Sequence, residues 1–150
     1  MPVERSAGAV IFRDTKKGPQ YLLLHHYLNS RARERKSDGH WDFSKGHIEK
    51  GEKTEDTVRR EIEEETGISD ITFIPGFKET TKYFVGTEPD RRLKFVAFFL
   101  AKTHAEKVAI SHEHQGFAWL PFEEACERVT YKDSKNLLKR ANAFLSAKSV

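Results

Sequence analysis

A cluster of acidic residues near the middle of the chain has the composition and spacing of a cation-binding site. Glu61, Glu63, Glu64 and Glu65 put four carboxylates into five consecutive positions. Residues three and four apart share a helix face, so at roughly 100° per residue Glu61, Glu64 and Glu65 fall within an arc of about 100°. Like charges this close repel each other, and hard divalent cations such as Mg²⁺ prefer oxygen-rich sites. The run therefore predicts a helix whose carboxylates bind a divalent metal ion.

The spacing of the residues around this run is more specific than its charge. Residues 46–68 read G-x5-E-x7-R-E-U-x-E-E-x-G-U, where U is aliphatic. The fixed positions are Gly46, Glu52, Arg60, Glu61, Ile62, Glu64, Glu65, Gly67 and Ile68. This pattern resembles the Nudix box, the signature of hydrolases that cleave a nucleoside diphosphate linked to another group. The resemblance implies a Nudix fold, with a mixed β-sheet sandwiched between α-helices, whereas the order of elements alone indicates only an α/β or α+β domain.

Within the box, the residue types suggest a division of labour. Glu61 and Glu65 lie one helical turn apart and are the expected direct ligands, with Glu64 completing the set. The resemblance adds the carbonyl oxygen of Gly46 as a ligand. The expected cofactor is Mg²⁺, with Mn²⁺ as a possible substitute, and Glu64 is also assigned a catalytic role.

Arg60 has a different expected task within the same motif. Its guanidinium can bind the Glu52 carboxylate through two parallel hydrogen bonds. Such a pair would tie the preceding loop to the helix and orient the metal-binding carboxylates. Arg60 and Glu52 are therefore included among the predicted catalytic residues.

Motifs outside the box resemble one branch of this family, the asymmetrical diadenosine tetraphosphate hydrolases, or bis(5′-nucleosyl)-tetraphosphatases. They are His40-Trp41, Lys45-Gly46-His47, Gly76-Phe77-Lys78 with Tyr83, Ser111-His112-Glu113-His114-Gln115, Trp119-Leu120 and Glu123-Glu124-Ala125-Cys126. The resemblance extends from about residue 7 to residue 144. It implies that diadenosine tetraphosphate and water give ATP and AMP. Ser44 departs from the pattern, because a proline is common at that position.

This resemblance suggests further site residues. Glu113 is expected to act as a general base or an additional metal ligand, while the flanking His112 and His114 are expected to pack or form hydrogen bonds. The predicted substrate-binding residues are His40, Lys45 and Lys78, for phosphate oxygens, and Tyr83 and Tyr131, for stacking an adenine ring.

The remaining sequence predicts the elements that must position these residues. Buried strands are expected at 6–12 and 21–24, a long hairpin at 71–86 and 93–101, and a short strand at 116–120. Helices are expected from an N-cap at Thr54 to a stop at Gly67, at 121–128 and at 134–147. The ring residues Trp41, Phe117 and Trp119 are assigned to the core.

Composition sets the broad class. The chain of 150 residues is expected to form a single domain over 1–150. Its net charge is +3, but residues 46–68 carry −4, so the remainder carries +7. Such an acidic island on a basic body suits a metal held against a polyphosphate. No stretch approaches a membrane span, no signal peptide is recognisable, and the single Cys126 cannot form an internal disulfide. These features favour a cytoplasmic setting. A monomer is expected, and the resemblance implies that its partner is a small nucleotide substrate.

Two other functions remain open from the sequence. An RNA 5′-pyrophosphohydrolase would share the chemistry but needs a basic path for RNA, for which the loop at 29–39, with Arg31, Arg33, Arg35 and Lys36, is the candidate. A non-catalytic nucleotide-sensing module would be marked by degenerate box glutamates, and none is degenerate here. A diphosphoinositol phosphate hydrolase is disfavoured, because an inositol has no need of paired tyrosines for stacking.

Overall fold

The computed structural model describes residues 2–27 and 39–148, and these contain seven strands and three helices. The strands are β1 Val3–Thr15, β2 Gly18–His26, β3 His40–Asp42, β4 Ser44–His47, β5 Thr72–Val85, β6 Arg92–Lys102 and β7 His114–Pro121. The helices are α1 Thr54–Thr66, α2 Phe122–Arg128 and α3 Lys132–Lys148. Except for Gly39, the polar loop predicted at 29–39 lies outside the described residues. None of the helices within 2–27 and 39–148 is long and apolar enough to cross a membrane.

The strands form one mixed sheet with helices on both faces. Its order is β3-β2-β1-β6-β5, with β4 paired to β1 and β7 paired to β2. The β1–β6 pair is parallel, and the other pairs are antiparallel. Alternate residues of β1 point to opposite faces: Ala7 and Ala9 pack with α1, whereas Val10 packs with α3. This layering confirms the predicted mixed sheet between helices.

Helix α1, which carries the box glutamates, is anchored by an apolar stripe. Val58 and Ile62 are fully buried against the sheet. Gly67 ends the helix as predicted, because its left-handed backbone (φ 76°) lets its N–H donate to the Glu63 carbonyl at 2.8 Å. The predicted N-cap is wrong by one residue. Lys53 has the extended backbone of the cap, so Thr54 is already the first helical residue.

The strand predictions are confirmed, but one core assignment is wrong. The long hairpin forms from β5 and β6 over nearly the expected residues. Trp41 and Trp119 are half-buried at the margins of the two apolar clusters. Phe117, by contrast, is 39% exposed, because it lies on β7, an outer strand that pairs with β2 along one side.

Candidate active site

Arg60 organises the acidic residues of the box. Its Nε and Nη2 donate to the two carboxylate oxygens of Glu52 at 2.7 and 3.0 Å, so the predicted bidentate pair is present. Its Nη1 donates to Glu61 at 2.8 Å and approaches Glu64 at 3.3 Å. The Arg60 hydrogen bond, together with the backbone N–H of Glu49, lowers the pKa of Glu52 to about 2. Arg60 thus ties the loop before α1 to the helix.

Glu61 packs directly against the backbone of β4. Its side chain is only 15% exposed. A Cβ added to Gly46 would lie 2.0 Å from the Glu61 carboxylate carbon, which is far inside van der Waals contact. Burial raises the pKa of Glu61, although the hydrogen bond from Arg60 opposes the shift. The glycine at this position therefore gives the carboxylate room to lie on the strand.

Glu65 is buried and held at both of its oxygens. Ser44 Oγ donates to Oε1 at 2.6 Å, and His114 Nε2 lies 3.1 Å from Oε2. The Glu65 side chain is 7% exposed and that of His114 is 1% exposed. Ser111 Oγ lies 3.1 Å from the other ring nitrogen of His114. Residues from α1, β4 and β7 therefore meet at a single carboxylate.

Sequence reasoning did not anticipate this arrangement around Glu65. It predicted hydrogen bonding for His114, which is confirmed, but it did not identify Glu65 as the partner. One signal was available in the sequence. Ser44 stands where a proline is common, and unlike proline it has a hydroxyl group that can donate a hydrogen bond. The same loop is also joined to the end of α1 by backbone bonds from Ala109 to Thr66 and from Ser111 to Glu65.

Glu113 lies in the loop that these bonds fasten to α1. Its N–H donates to Ser111 Oγ at 3.3 Å, and its side chain is exposed, as is that of His112. The structure thus brings the loop with Glu113 to the carboxyl end of the box helix. Its role as a base or ligand remains a prediction.

The residues of the box fit a hard cation, although they are not assembled around one. Among residues 2–27 and 39–148, no three Asp, Glu, His or Cys side chains are arranged to hold a metal ion. The predicted ligand set was Gly46, Glu61, Glu64, Glu65 and Glu113. Glu61 and Glu64 bond to Arg60, and Glu65 bonds to Ser44 and lies beside His114, so this ligand set stays a prediction. The donors are all oxygens, which suits Mg²⁺ or Mn²⁺ better than zinc.

A cleft of about 500 Å³ lies on the opposite face of the sheet from α1. It contains four of the five predicted substrate-binding residues: His40, Lys45, Tyr83 and Tyr131. The rest of its lining comes from β3, β5, β6 and the start of α3: Asp42, Thr81, Val96, Phe98, Lys132, Asp133, Ser134 and Leu137. The ammonium of Lys45 lies 3.5 Å from the Tyr83 hydroxyl. The cleft therefore combines aromatic rings with a cation.

Lys78, the fifth predicted substrate residue, does not line the cleft. Its ammonium lies 5.7 Å from the ring centroid of Phe99, which packs on the α1 side of the sheet. Lys78 and the box glutamates therefore share one face. Any phosphate contact by Lys78 would occur on the face of the box glutamates and away from the cleft.

Strand β4 connects the two faces. Consecutive strand residues point to opposite sides, and here Lys45 lines the cleft while Gly46 lies against Glu61. Ser44, on the same side as Gly46, reaches Glu65. One short strand thus separates the aromatic cleft from the carboxylates by the thickness of its backbone.

A row of imidazole rings runs between the cleft and Glu65. The ring of His40 lies 5.4 Å from that of Tyr131 and stacks on His26 at 4.8 Å, and His26 meets His114 edge-on at 4.5 Å. Burial, with neighbouring positive charges, lowers the pKa of His26 to about 2. Burial also lowers the pKa of His40, although Asp42 opposes this shift. His26 is therefore neutral at physiological pH.

Comparison with known proteins agrees with this geometry. The family model of the NUDIX domain matches residues 2–141, and the chain therefore belongs to the Nudix family. It is 39% identical over 153 aligned positions to the mouse bis(5′-nucleosyl)-tetraphosphatase [asymmetrical], covering 94% of this chain and 95% of the mouse protein. The protein of that name from Caenorhabditis elegans is 31% identical, with 96% and 98% covered.

A solved structure extends the comparison to three dimensions. The crystal structure of a C. elegans Ap4A hydrolase binary complex superposes with a TM-score of 0.78 at 30% sequence identity. The superposition covers 96% of this chain and 98% of that one. The whole sheet and its helices, and not the box alone, are therefore shared.

Proposed function

We propose that this protein is a metal-dependent hydrolase that cleaves dinucleoside polyphosphates asymmetrically, converting diadenosine tetraphosphate and water to ATP and AMP. The observation that carries the proposal is the position of β4 between the two halves of the site. Tyr83, Tyr131 and Lys45 lie on one side of it, and Glu61 and Glu65 lie on the other. The names of the similar mouse and worm proteins support the same reaction.

The cleft is suited to one nucleoside with its first phosphates. An adenine ring between Tyr83 and Tyr131 would gain about 1–3 kcal/mol for each base–aromatic stack. Lys45 places a positive charge beside Tyr83, where it can attract phosphate oxygens. His40 lies against Tyr131 and can form a hydrogen bond to the same phosphates. The polyphosphate would then pass over β4 toward the box helix.

On the other face of β4 the box residues provide the hydrolytic chemistry. Glu61, Glu64 and Glu65, with the carbonyl of Gly46, would hold Mg²⁺, which when bound offsets phosphate charge and lowers the pKa of a water. Arg60 keeps Glu52 and the loop in place so that these oxygens stay oriented. Glu113 would accept a proton from the attacking water or contribute a further oxygen.

Product analysis in heavy-oxygen water tests the proposal. Purified protein with Mg²⁺ and diadenosine tetraphosphate should give ATP and AMP, with the heavy oxygen in one product only. ADP as the main product would refute the asymmetric assignment while leaving Nudix chemistry intact. Release of pyrophosphate from triphosphorylated RNA, without dinucleotide cleavage, would favour the RNA 5′-pyrophosphohydrolase. Absence of turnover on either substrate would favour a nucleotide-sensing module.

The cofactor and setting are part of the same proposal. The all-oxygen donors favour Mg²⁺, with Mn²⁺ able to replace it. We further expect a cytoplasmic monomer acting on a small nucleotide, in keeping with its single cysteine, Cys126. Size-exclusion chromatography with light scattering would contradict the monomer if it gave twice the chain mass of 17.3 kDa.

A further inference from the structure

The buried carboxylate of Glu65 has two hydrogen-bonding partners that the box motif does not contain. Ser44 Oγ donates to one oxygen at 2.6 Å, and His114 Nε2 lies 3.1 Å from the other. All three residues are buried, with relative exposures of 2% for Ser44, 5% for Glu65 and 4% for His114. We infer that Ser44 and His114 are positioning residues that fix the Glu65 carboxylate for the divalent cation, an inference that rests on the proposed function.

Energetics argues against a purely structural reason for this cluster. Moving a carboxylate out of water is costly even when hydrogen bonds satisfy it, and apolar residues of similar size usually stabilise a fold as well or better. Val58 and Ile62 already anchor α1 to the sheet. The fold therefore does not need a buried glutamate on this helix, but a cation site needs a carboxylate held in one orientation.

The number of hydrogen bonds is also suited to this task. An ionised carboxylate has about four acceptor positions on its two oxygens. Ser44 and His114 use one position on each oxygen, which leaves acceptor capacity on both for a cation. Because the two contacts lie at opposite oxygens, they restrict rotation about the terminal side-chain bond of Glu65.

His114 is itself held in place. Ser111 Oγ lies 3.1 Å from Nδ1, so a neutral ring can accept there and donate from Nε2 to Glu65. The ring of His26 packs edge-on against it at 4.5 Å. Ser111 also donates its N–H to the backbone carbonyl of Glu65 at 3.3 Å. The loop that carries Glu113 and the box helix are thus joined at the same residue.

The test measures metal binding without substrate. Mn²⁺ affinity is followed by electron paramagnetic resonance of the free ion, alongside kcat, KM and the melting temperature, for Ser44→Ala, His114→Leu and His114→Gln. Ser44→Ala and His114→Leu should weaken Mn²⁺ binding and lower kcat by about 10–100-fold, the usual effect of removing a residue that orients a ligand. KM should change much less. His114→Gln keeps an N–H near the position of Nε2 and should recover most of both losses.

A matched control separates positioning from stability. Thr103 is buried and donates from Oγ1 to the Asp70 carboxylate at 2.5 Å, well outside the site. Thr103→Val should lower the melting temperature while leaving Mn²⁺ affinity and kcat at wild-type values. In a Glu65→Gln background, Ser44→Ala should have no further effect on Mn²⁺ affinity, because the ligand is already lost.

The outcomes distinguish this inference from the proposed function. Folded Ser44→Ala and His114→Leu variants that bind Mn²⁺ like the wild type, with unchanged kcat, would overturn the inference. The inference would also be overturned if Ser44→Ala lowered Mn²⁺ affinity by the same factor in the wild type and in the Glu65→Gln variant. If His114→Leu does not fold, Ser44→Ala still decides. Because Mn²⁺ binding needs no dinucleotide, a wrong substrate would leave this result standing.

Discussion

Glu65 and Glu63 lie on the same helix but in opposite surroundings. Glu65 is buried beneath β4, whereas Glu63 is exposed and contributes its backbone carbonyl to the helix end. The two side chains are chemically identical, so any functional difference between Glu65 and Glu63 must come from their surroundings. A pair of matched substitutions can therefore measure what the position of a carboxylate contributes.

Glu65→Gln should lower kcat by about 100-fold or more while keeping the fold, since a neutral amide is a much poorer ligand for a hard cation. Glu63→Gln, the control on the exposed face, should retain wild-type turnover. Steady-state kinetics with Mg²⁺ and circular dichroism would test both variants. Wild-type turnover in Glu65→Gln would remove this residue from the ligand set.

Glu113 is predicted to act on the reacting water or metal and not on the nucleoside. Glu113→Gln should therefore lower kcat by about 10²–10⁴-fold, the range expected for loss of an acid–base group, with a smaller change in KM. His112→Gln alters the exposed neighbour in the same loop and serves as the control. Unchanged turnover in Glu113→Gln would show that Glu113 has no catalytic role and serves only in the structure of its loop.

At the scale of elements, β4 depends on a residue without a side chain. Gly46→Ala would place a Cβ within 2.0 Å of the Glu61 carboxylate carbon. The clashing atoms are the far end of the Glu61 side chain, so the carboxylate, a predicted ligand, would have to move away from β4. We expect a lower Mn²⁺ affinity and a kcat reduced by about tenfold or more.

Gly116→Ala is the matched control for that change. Gly116 also lies in a strand, but its added Cβ would meet His25 at an ordinary 3.8 Å. This variant should bind Mn²⁺ and turn over substrate like the wild type. If Gly46→Ala also keeps wild-type Mn²⁺ affinity and kcat, the function of Glu61 does not depend on its contact with β4.

The elements also indicate what a sequence can and cannot reveal. The spacing from Gly46 to Ile68 was sufficient to predict α1, its buried stripe and the Arg60–Glu52 pair, because all of these are local or set by helical periodicity. The contact between His114 and Glu65 was not predictable, since it depends on how β7 and the loop before it pack beside α1. Period-two alternation does put Lys78 and Tyr83, five residues apart in β5, on opposite faces. It could not tell which of the two faces holds the cleft, since that depends on where α1 and α3 pack.

At the scale of the whole molecule, the aromatic cleft and the carboxylates lie on different faces of the sheet. Tyr83→Ala with Tyr131→Ala should raise KM and weaken nucleotide binding by about 1–3 kcal/mol for each lost stack, with Mn²⁺ affinity unchanged. Phe84→Ala is a suitable control, because Phe84 is an exposed aromatic residue next to Tyr83 that contacts Arg91. Equal KM values for the double variant and the wild type would exclude stacking in this cleft.

Stability should fall in acid because of the imidazole row. The folded pKa of His26 is about 2, below the ordinary 6.5, so the unfolded chain binds more protons between these values. The free energy of unfolding should therefore decline as pH falls below about 6.5, by up to about 1.4 kcal/mol per pH unit for this residue. Above that pH its contribution is constant.

Urea unfolding at pH 7.5 and pH 5.5 can isolate the part due to His26. His26→Gln should lose less stability than the wild type over this interval, whatever its stability at pH 7.5. His47→Gln, which changes an exposed histidine at the end of β4, is the control and should follow the wild type. Parallel declines in the wild type and His26→Gln would show that the partly buried His26 ring does not resist protonation.

The position of β4 between the two faces also bears on how such an enzyme could diversify. Substitutions at Thr81, Val96 or Leu137 alter the walls of the cleft without touching a residue of the box. A lineage could therefore acquire a preference for another nucleobase, or for a different group altogether, while inheriting its hydrolytic machinery unchanged. On the proposed function, the two faces of one short strand would make substrate choice and bond cleavage separately heritable traits.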